Sequence, residues 1–212
     1  MKNRAFLYII MAVFFGTSLP AFSQELQSFG VFHDTLWLEN SDSDSAPSPI
    51  LSVWGLSARF GFGERLSLAP ELSFSSVEYL YRDGIALPAE IEYADAVKTI
   101  NIIISSPVAF RFVPAQDMSI YLGTGPAFSF KVPVKTYGEA SAGDVAGYFV
   151  KRGRFFHWEA AAGFDWKFYE SLAFNIRARL LLPLYRAWDG DGMPLYDGMM
   201  FGVGFGLRVI LK

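Results

Sequence analysis

From about residue 27 onward, apolar side chains recur at every second position over unusually long runs. In the last run Met199, Phe201, Val203, Phe205, Leu207, Val209 and Leu211 share one face, and Gly202, Gly204, Gly206 and Arg208 share the other. In 154–168, Phe156, Trp158, Ala160, Ala162, Phe164, Trp166 and Phe168 stand opposite His157, Glu159, Gly163, Asp165 and Lys167. In 118–131, Met118, Ile120, Leu122, Pro126, Phe128 and Phe130 oppose Ser119, Gly123, Gly125, Ser129 and Lys131. A period of two is that of a strand, whose successive side chains point to opposite faces.

Eight such runs are predicted, at 27–39, 50–62, 66–81, 97–113, 118–131, 154–168, 172–185 and 199–211. They are longer than the usual strand of about 5–6 residues and long enough for a tilted membrane strand, which needs about 9–11. The connections at 63–65, 114–117 and 169–171 are tight. Those at 40–49, 82–96, 132–153 and 186–198 are long and rich in Gly, Pro, Asp, Ser and Glu. Short turns on one rim and long loops on the other are the asymmetry of an outer-membrane barrel. The prediction is therefore an all-β chain forming an eight-stranded antiparallel up-and-down transmembrane β-barrel, with both termini at the periplasmic rim. A soluble sandwich would also alternate, but it would carry its charges outside a dry core. Phe60, Phe62, Phe110, Phe112, Trp166, Phe168 and Phe174 near the turns, and Trp54, Phe128, Phe130, Phe156, Trp158 and Phe201 near the loops, form two expected aromatic girdles. Some features resist this pattern. In the first strand Phe29, Val31 and Trp37 compete with Phe32, Leu36 and Leu38 for one face. Pro70, Pro107, Pro126 and Pro183 fall inside strands, where a closed barrel offers no free edge; bulges would absorb them. A slip near Ser75 and Ser76 would turn Glu78 away from lipid.

Composition agrees. The 212 residues are 52% hydrophobic, 17% aromatic and 18% charged, yet no later segment is the block of about 20 apolar residues that a membrane helix needs. Residues 1–23 read as a cleaved signal peptide. Lys2 and Arg4 precede the apolar stretch Ala5 to Thr17, and Ala21-Phe22-Ser23 supplies a small-residue cleavage site before Gln24; the competing reading is a membrane anchor. The expected mature domain is 24–212. With no cysteine, neither a disulfide nor a lipoprotein acceptor is available. A formal net charge of −3 points away from nucleic acid.

Eight strands enclose room for side chains or one small ligand, not a wide channel. The predicted lumen network is Arg59, Glu71, Arg111, Lys131, Glu159, Asp165, Lys167, Arg177, Arg179 and Arg208, seven cations against three carboxylates. Buried charges persist only when paired, so one expectation is a salt-bridged plug. The other is a narrow path that uses the excess positive charge to favour anions. Catalysis finds little support: of the two histidines, His33 has only Thr35 near it in sequence and His157 has no serine at a neighbouring position. Asp189, Asp191 and Asp197 lack the pattern of a full calcium loop and read as turn chemistry, so no metal or cofactor is expected. The 132–153 connection, with Lys135, Lys151, Arg152 and Arg154, could meet lipid phosphates or a host surface.

The chain resembles the small eight-stranded outer-membrane families typified by OmpX, the OmpA barrel and OmpW, over essentially all of 24–212. The most motif-like part is the terminus, Gly204 to Lys212, where Gly206, Val209 and Leu211 match the spacing of the signal read by the barrel assembly machinery. It departs in lacking a terminal Phe or Trp and in adding Lys212. The resemblance implies a monomer in the bacterial outer membrane, with membrane lipid and the assembly machinery as partners. It also implies either a structural or surface-interactive role or a conduit for small solutes.

Overall fold

The computed structural model describes residues 25–39, 50–82, 85–88, 96–138, 141–152, 154–187 and 198–211. Residues 1–24, where the signal peptide is expected, Lys212, the 40–49 segment and the Asp189-to-Asp197 connection lie outside the described residues. The elements are β1 (Glu25–Leu38), β2 (Ile50–Phe62), β3 (Leu66–Leu68), β4 (Glu71–Arg82), β5 (Ile85–Pro88), β6 (Ala96–Ser105), β7 (Val108–Ala115) and β8 (Met118–Thr136). A helix α1 (Ala142–Arg152) follows, then β9 (Arg154–Tyr169), β10 (Leu172–Ala187) and β11 (Met200–Ile210).

These strands build eight walls, because β3 with β4 and β6 with β7 are each one wall broken in the middle. Every wall pairs antiparallel with the next, from β1–β2 through β8–β9 to β10–β11. The ring closes where β1 pairs with β11, Ser28 opposite Ile210 through Leu38 opposite Met200. Closure leaves no sheet edge in lipid, which is the condition for strands to cross a bilayer. β5 folds back on the end of β4 as a short hairpin within the second long connection.

The prolines explain where the walls break. β3 ends before Pro70 and β6 before Pro107, and these interruptions face one another, with the Ala69 amide donating to the Pro107 carbonyl at 2.9 Å. The same row continues to Pro126. There β8 changes partner from β7 (Thr124 opposite Val108) to β6 (Ala127 opposite Ser105), so its missing N–H falls at the discontinuity. The carbonyls still serve: Pro126 accepts from Ser106 at 3.1 Å and Pro70 from Ala58 at 3.0 Å. The walls approach closely here, and a Cβ on Gly125 would stand 2.7 Å from the Pro107 Cα. Pro183 sits at a register shift between β9 and β10. No slip occurs near Ser75: β4 stays in register with β6 from Glu71 to Leu80. Glu78 faces outward near the long-loop rim and meets Lys98 Nζ at 3.7 Å.

The outer surface is an apolar belt. Phe29, Val31, Trp54, Leu56, Leu122, Trp158, Ile176 and Phe205 are among its exposed large side chains. Trp37 and Phe201 stack across β1 and β11 at 5.8 Å. Only a lipid solvent makes such a surface favourable. The first strand is resolved. Phe29, Val31 and Trp37 face lipid; Phe32, Leu36 and Leu38 face in, together with Asp34.

Candidate functional site: the lumen and its two ends

The lumen has four layers. At the turn end Asp165 receives Arg59 Nη1 at 2.8 Å, Arg208 Nη1 at 3.2 Å and Asn175 Nδ2 at 2.8 Å. Tyr121 lies between the two guanidiniums, 4.9 Å from Arg59 and 5.5 Å from Arg208. At mid-height a larger cluster spans the barrel. Arg177 grips Asp34 with two nitrogens, Nε at 2.8 Å and Nη2 in a shorter contact, and gives Nη1 to Glu71 at 2.7 Å. Arg179 reaches Glu159 at 3.0 Å, Asp34 at 3.3 Å and Glu71 at 3.6 Å. The forked guanidinium lets one arginine satisfy carboxylates from different walls. Phe32 lies flat under Arg177, 3.6 Å from ring centroid to guanidinium carbon. A cavity of about 10 Å³ remains in this layer, close to the smallest that houses one water.

Above the charges comes a polar ring containing Thr99, Asn101, Ser129 and His157, all buried. His157 contacts the Gly198 carbonyl at 3.2 Å and stacks on Phe155, and Lys131 Nζ sits 4.3 Å over that same Phe155 ring. The loop end is apolar: Leu36, Leu38, Leu51, Val53, Val77, Val97, Leu181 and Met200 line it. Into this cup α1 inserts Val145, Tyr148 and Phe149, spaced i, i+3, i+4 on one helical stripe. Ser141 and Asp144 form the Ser-x-x-Asp start of a helix, with the Val145 amide on the Ser141 carbonyl at 3.0 Å. At the other end Arg154 Nη2 donates to the Lys151 carbonyl at 2.9 Å and satisfies a terminal acceptor. An eleven-residue helix is marginal alone; burying its three large side chains contributes about 1.5–3 kcal/mol each.

Of the predicted lumen residues, Arg59, Glu71, Lys131, Glu159, Asp165, Arg177, Arg179 and Arg208 are buried inside. Arg111 and Lys167 face the same way but lie half-exposed at the turn rim, outside the two clusters. The expected excess of cations does not hold at mid-barrel, because the prediction omitted Asp34, which is fully buried. With Asp34 included, four carboxylates meet Arg59, Arg177, Arg179 and Arg208 in these clusters among the described residues. The inward position of Asp34 depends on the register of β1 with β11, which sets it opposite Gly204, where an added Cβ would overlap its Oδ1.

One further expectation is corrected: the 132–153 segment is not a loop alone, since it holds the end of β8 and α1. His33 has a serine beside it after all, Ser52 Oγ at 2.9 Å from Nε2 on the outer face. Asp34, its chain neighbour, points into the lumen, so among the described residues no carboxylate orients this imidazole as a nucleophile's base requires. Among the described residues no cluster of potential ligands could hold a metal ion. Gly206, Val209 and Leu211 close the last strand, Gly206 inward and Val209 paired with Phe29.

No protein-family model and no curated protein sequence matches the chain. Solved structures do match it. Neisserial surface protein A is similar with a TM-score of 0.56 at 12% identity, over 88% of this chain and 96% of that one. OprG of Pseudomonas aeruginosa follows at 0.49 and 11%, covering 87% and 97%. Ail, the attachment invasion locus protein of Yersinia pestis, solved with the heparin analogue sucrose octasulfate, gives 0.45 and 9%, covering 87% and 97%. The first of these carries the comparison, and what it carries is the fold. A closed antiparallel ring of eight walls, with an apolar belt outside and side chains within, gives this chain the fold of the small eight-stranded outer-membrane β-barrels.

Proposed function

We propose that this barrel is a closed scaffold in the outer membrane, whose work is structural or surface-interactive and is done at its long-loop rim. The observation that carries the reading is the Asp34–Arg177–Glu71–Arg179–Glu159 cluster, which ties opposite walls across the lumen at mid-height. A solute would have to separate ion pairs in a poorly hydrated interior, where breaking one pair costs about 3–5 kcal/mol. The docked α1 supports the same reading from the other end: it closes the apolar cup and presents Ala142, Gly143, Asp144, Val150 and Lys151 outward. Catalysis has no complete constellation to rest on among the described residues.

The absence of cysteine gives a direct test of where that surface points. Lys151→Cys should react with an impermeant maleimide on intact cells, and Glu64→Cys in the tight turn should react only after the outer membrane is permeabilised. The opposite pattern would put the helix on the periplasmic side and remove the surface role.

A further inference from the structure

Two of the cations outside the paired clusters, Arg111 and Lys167, stand at the turn-side mouth of the barrel. A cavity of about 70 Å³ opens there, lined among others by Arg59, Arg111, Lys167, Arg208, Asp117 and Asp165. By the same measure about 10–15 Å³ houses one water, so the space takes a small polyatomic ion. Four cations face two carboxylates around it. Asp165 is already shared between Arg59 and Arg208. Arg59 is 6% exposed, and its Nε and Nη2 donate to no acceptor among the described residues; nor does the buried Nε of Arg111. Buried guanidinium donors without acceptors are costly, and guanidinium and ammonium groups lining a small cavity favour an anion in it.

We propose that this mouth is a binding site for a phosphate group, free or carried as a small monoester. In it Arg59 and Arg208 form the floor, and Arg111 and Lys167, half-exposed on β7 and β9, form the lip. Asp165 holds Arg59 Nη1 and the Tyr121 ring lies beside the guanidinium, which fixes the positive charge of the floor in place. The site goes beyond the proposed function, since it lies on the turn side of both ion clusters and needs no passage through them.

Calorimetry on the detergent-folded full barrel tests this with inorganic phosphate and with glycerol 3-phosphate. The wild type should bind inorganic phosphate saturably and more weakly as salt rises. Arg111→Ala with Lys167→Ala should weaken binding by about tenfold or more, the equivalent of one charge-assisted hydrogen bond. Arg111→Lys with Lys167→Arg should recover most of it. Binding of glycerol 3-phosphate as well would identify a mouth that accepts monoesters; binding of phosphate alone would identify the free ion. Heat-modifiable gel mobility reports that each variant is folded. Lys98→Ala with Lys135→Ala, at the far rim, should leave binding unchanged. No saturable binding by the wild type, or equal weakening by the two alanine pairs, overturns the site.

Discussion

Asp34→Ala removes the carboxylate around which the mid-barrel cluster is organised. Asp34 is fully buried and accepts from Arg177 Nε at 2.8 Å, from Arg177 Nη2, and from Arg179 Nη1 at 3.3 Å. Without it Arg177 keeps only Glu71, at 2.7 Å, while Arg179 keeps Glu159 at 3.0 Å and the distant Glu71 oxygen at 3.6 Å. Two carboxylates then face two arginines, but Glu71 must serve both, and the Arg177 fork loses its bidentate partner. Removing one partner of a buried pair costs about 3–5 kcal/mol, and the cluster's redundancy places this case toward the lower figure. Asp34→Asn keeps the shape and should lose most of the same stability, which separates charge from volume. Asp34→Leu with Arg177→Met should return much of the loss, since apolar groups of similar size often replace a buried pair without penalty. Urea unfolding in lipid vesicles, followed through the five tryptophans, reads all three. If the lumen were a hydrated path, its charges would be screened and worth about 0–1 kcal/mol. Unchanged midpoints in both Asp34→Ala and Asp34→Asn would refute the reasoning.

Phe205→Arg puts a charge on the lipid face, where Phe205 is exposed beside Phe174 and His33. A loss of about 2–4 kcal/mol is expected at mid-bilayer, seen as a smaller fraction of heat-modifiable protein; wild-type folding yield would contradict the lipid-facing assignment. Phe149→Ala empties the larger of two fully buried positions of α1, and losses for such truncations run about 3–5 kcal/mol. Because that energy docks the helix rather than the barrel, trypsin should cut after Lys151 faster while gel mobility stays that of the folded barrel. An unchanged cleavage rate would mean that the helix is not held by the cup.

Most of the barrel was legible because lipid outside and a filled lumen inside impose the period of two on nearly every wall. The first strand was not, for a reason the structure makes plain. Its inner face changes character along its length, from Ser28 and Gly30 through Asp34 to Leu36 and Leu38, so near the loop rim both faces are apolar. That inner apolar patch exists to receive α1. The helix had a signal of its own, Ser141 and Asp144 ahead of Val145, Tyr148 and Phe149, but Gly138, Gly143 and Gly147 around it read as loop. Missing Asp34 then distorted the charge balance: of the cations outside the clusters, Arg111 and Lys167 stand at the turn-side mouth and Lys131 lies over Phe155. Pro70, Pro107 and Pro126 looked like scattered exceptions in sequence. They are one row across three adjacent walls, a relation that depends on register and therefore on closure.

Closure of the lumen by paired charges and the docked helix can be measured as current through the wild-type protein in a planar lipid bilayer. No steady conductance is expected at either polarity, with the protein shown to be inserted by its gel mobility before and after reconstitution. A steady anion-selective current, resolved by its reversal potential in a salt gradient, would contradict it.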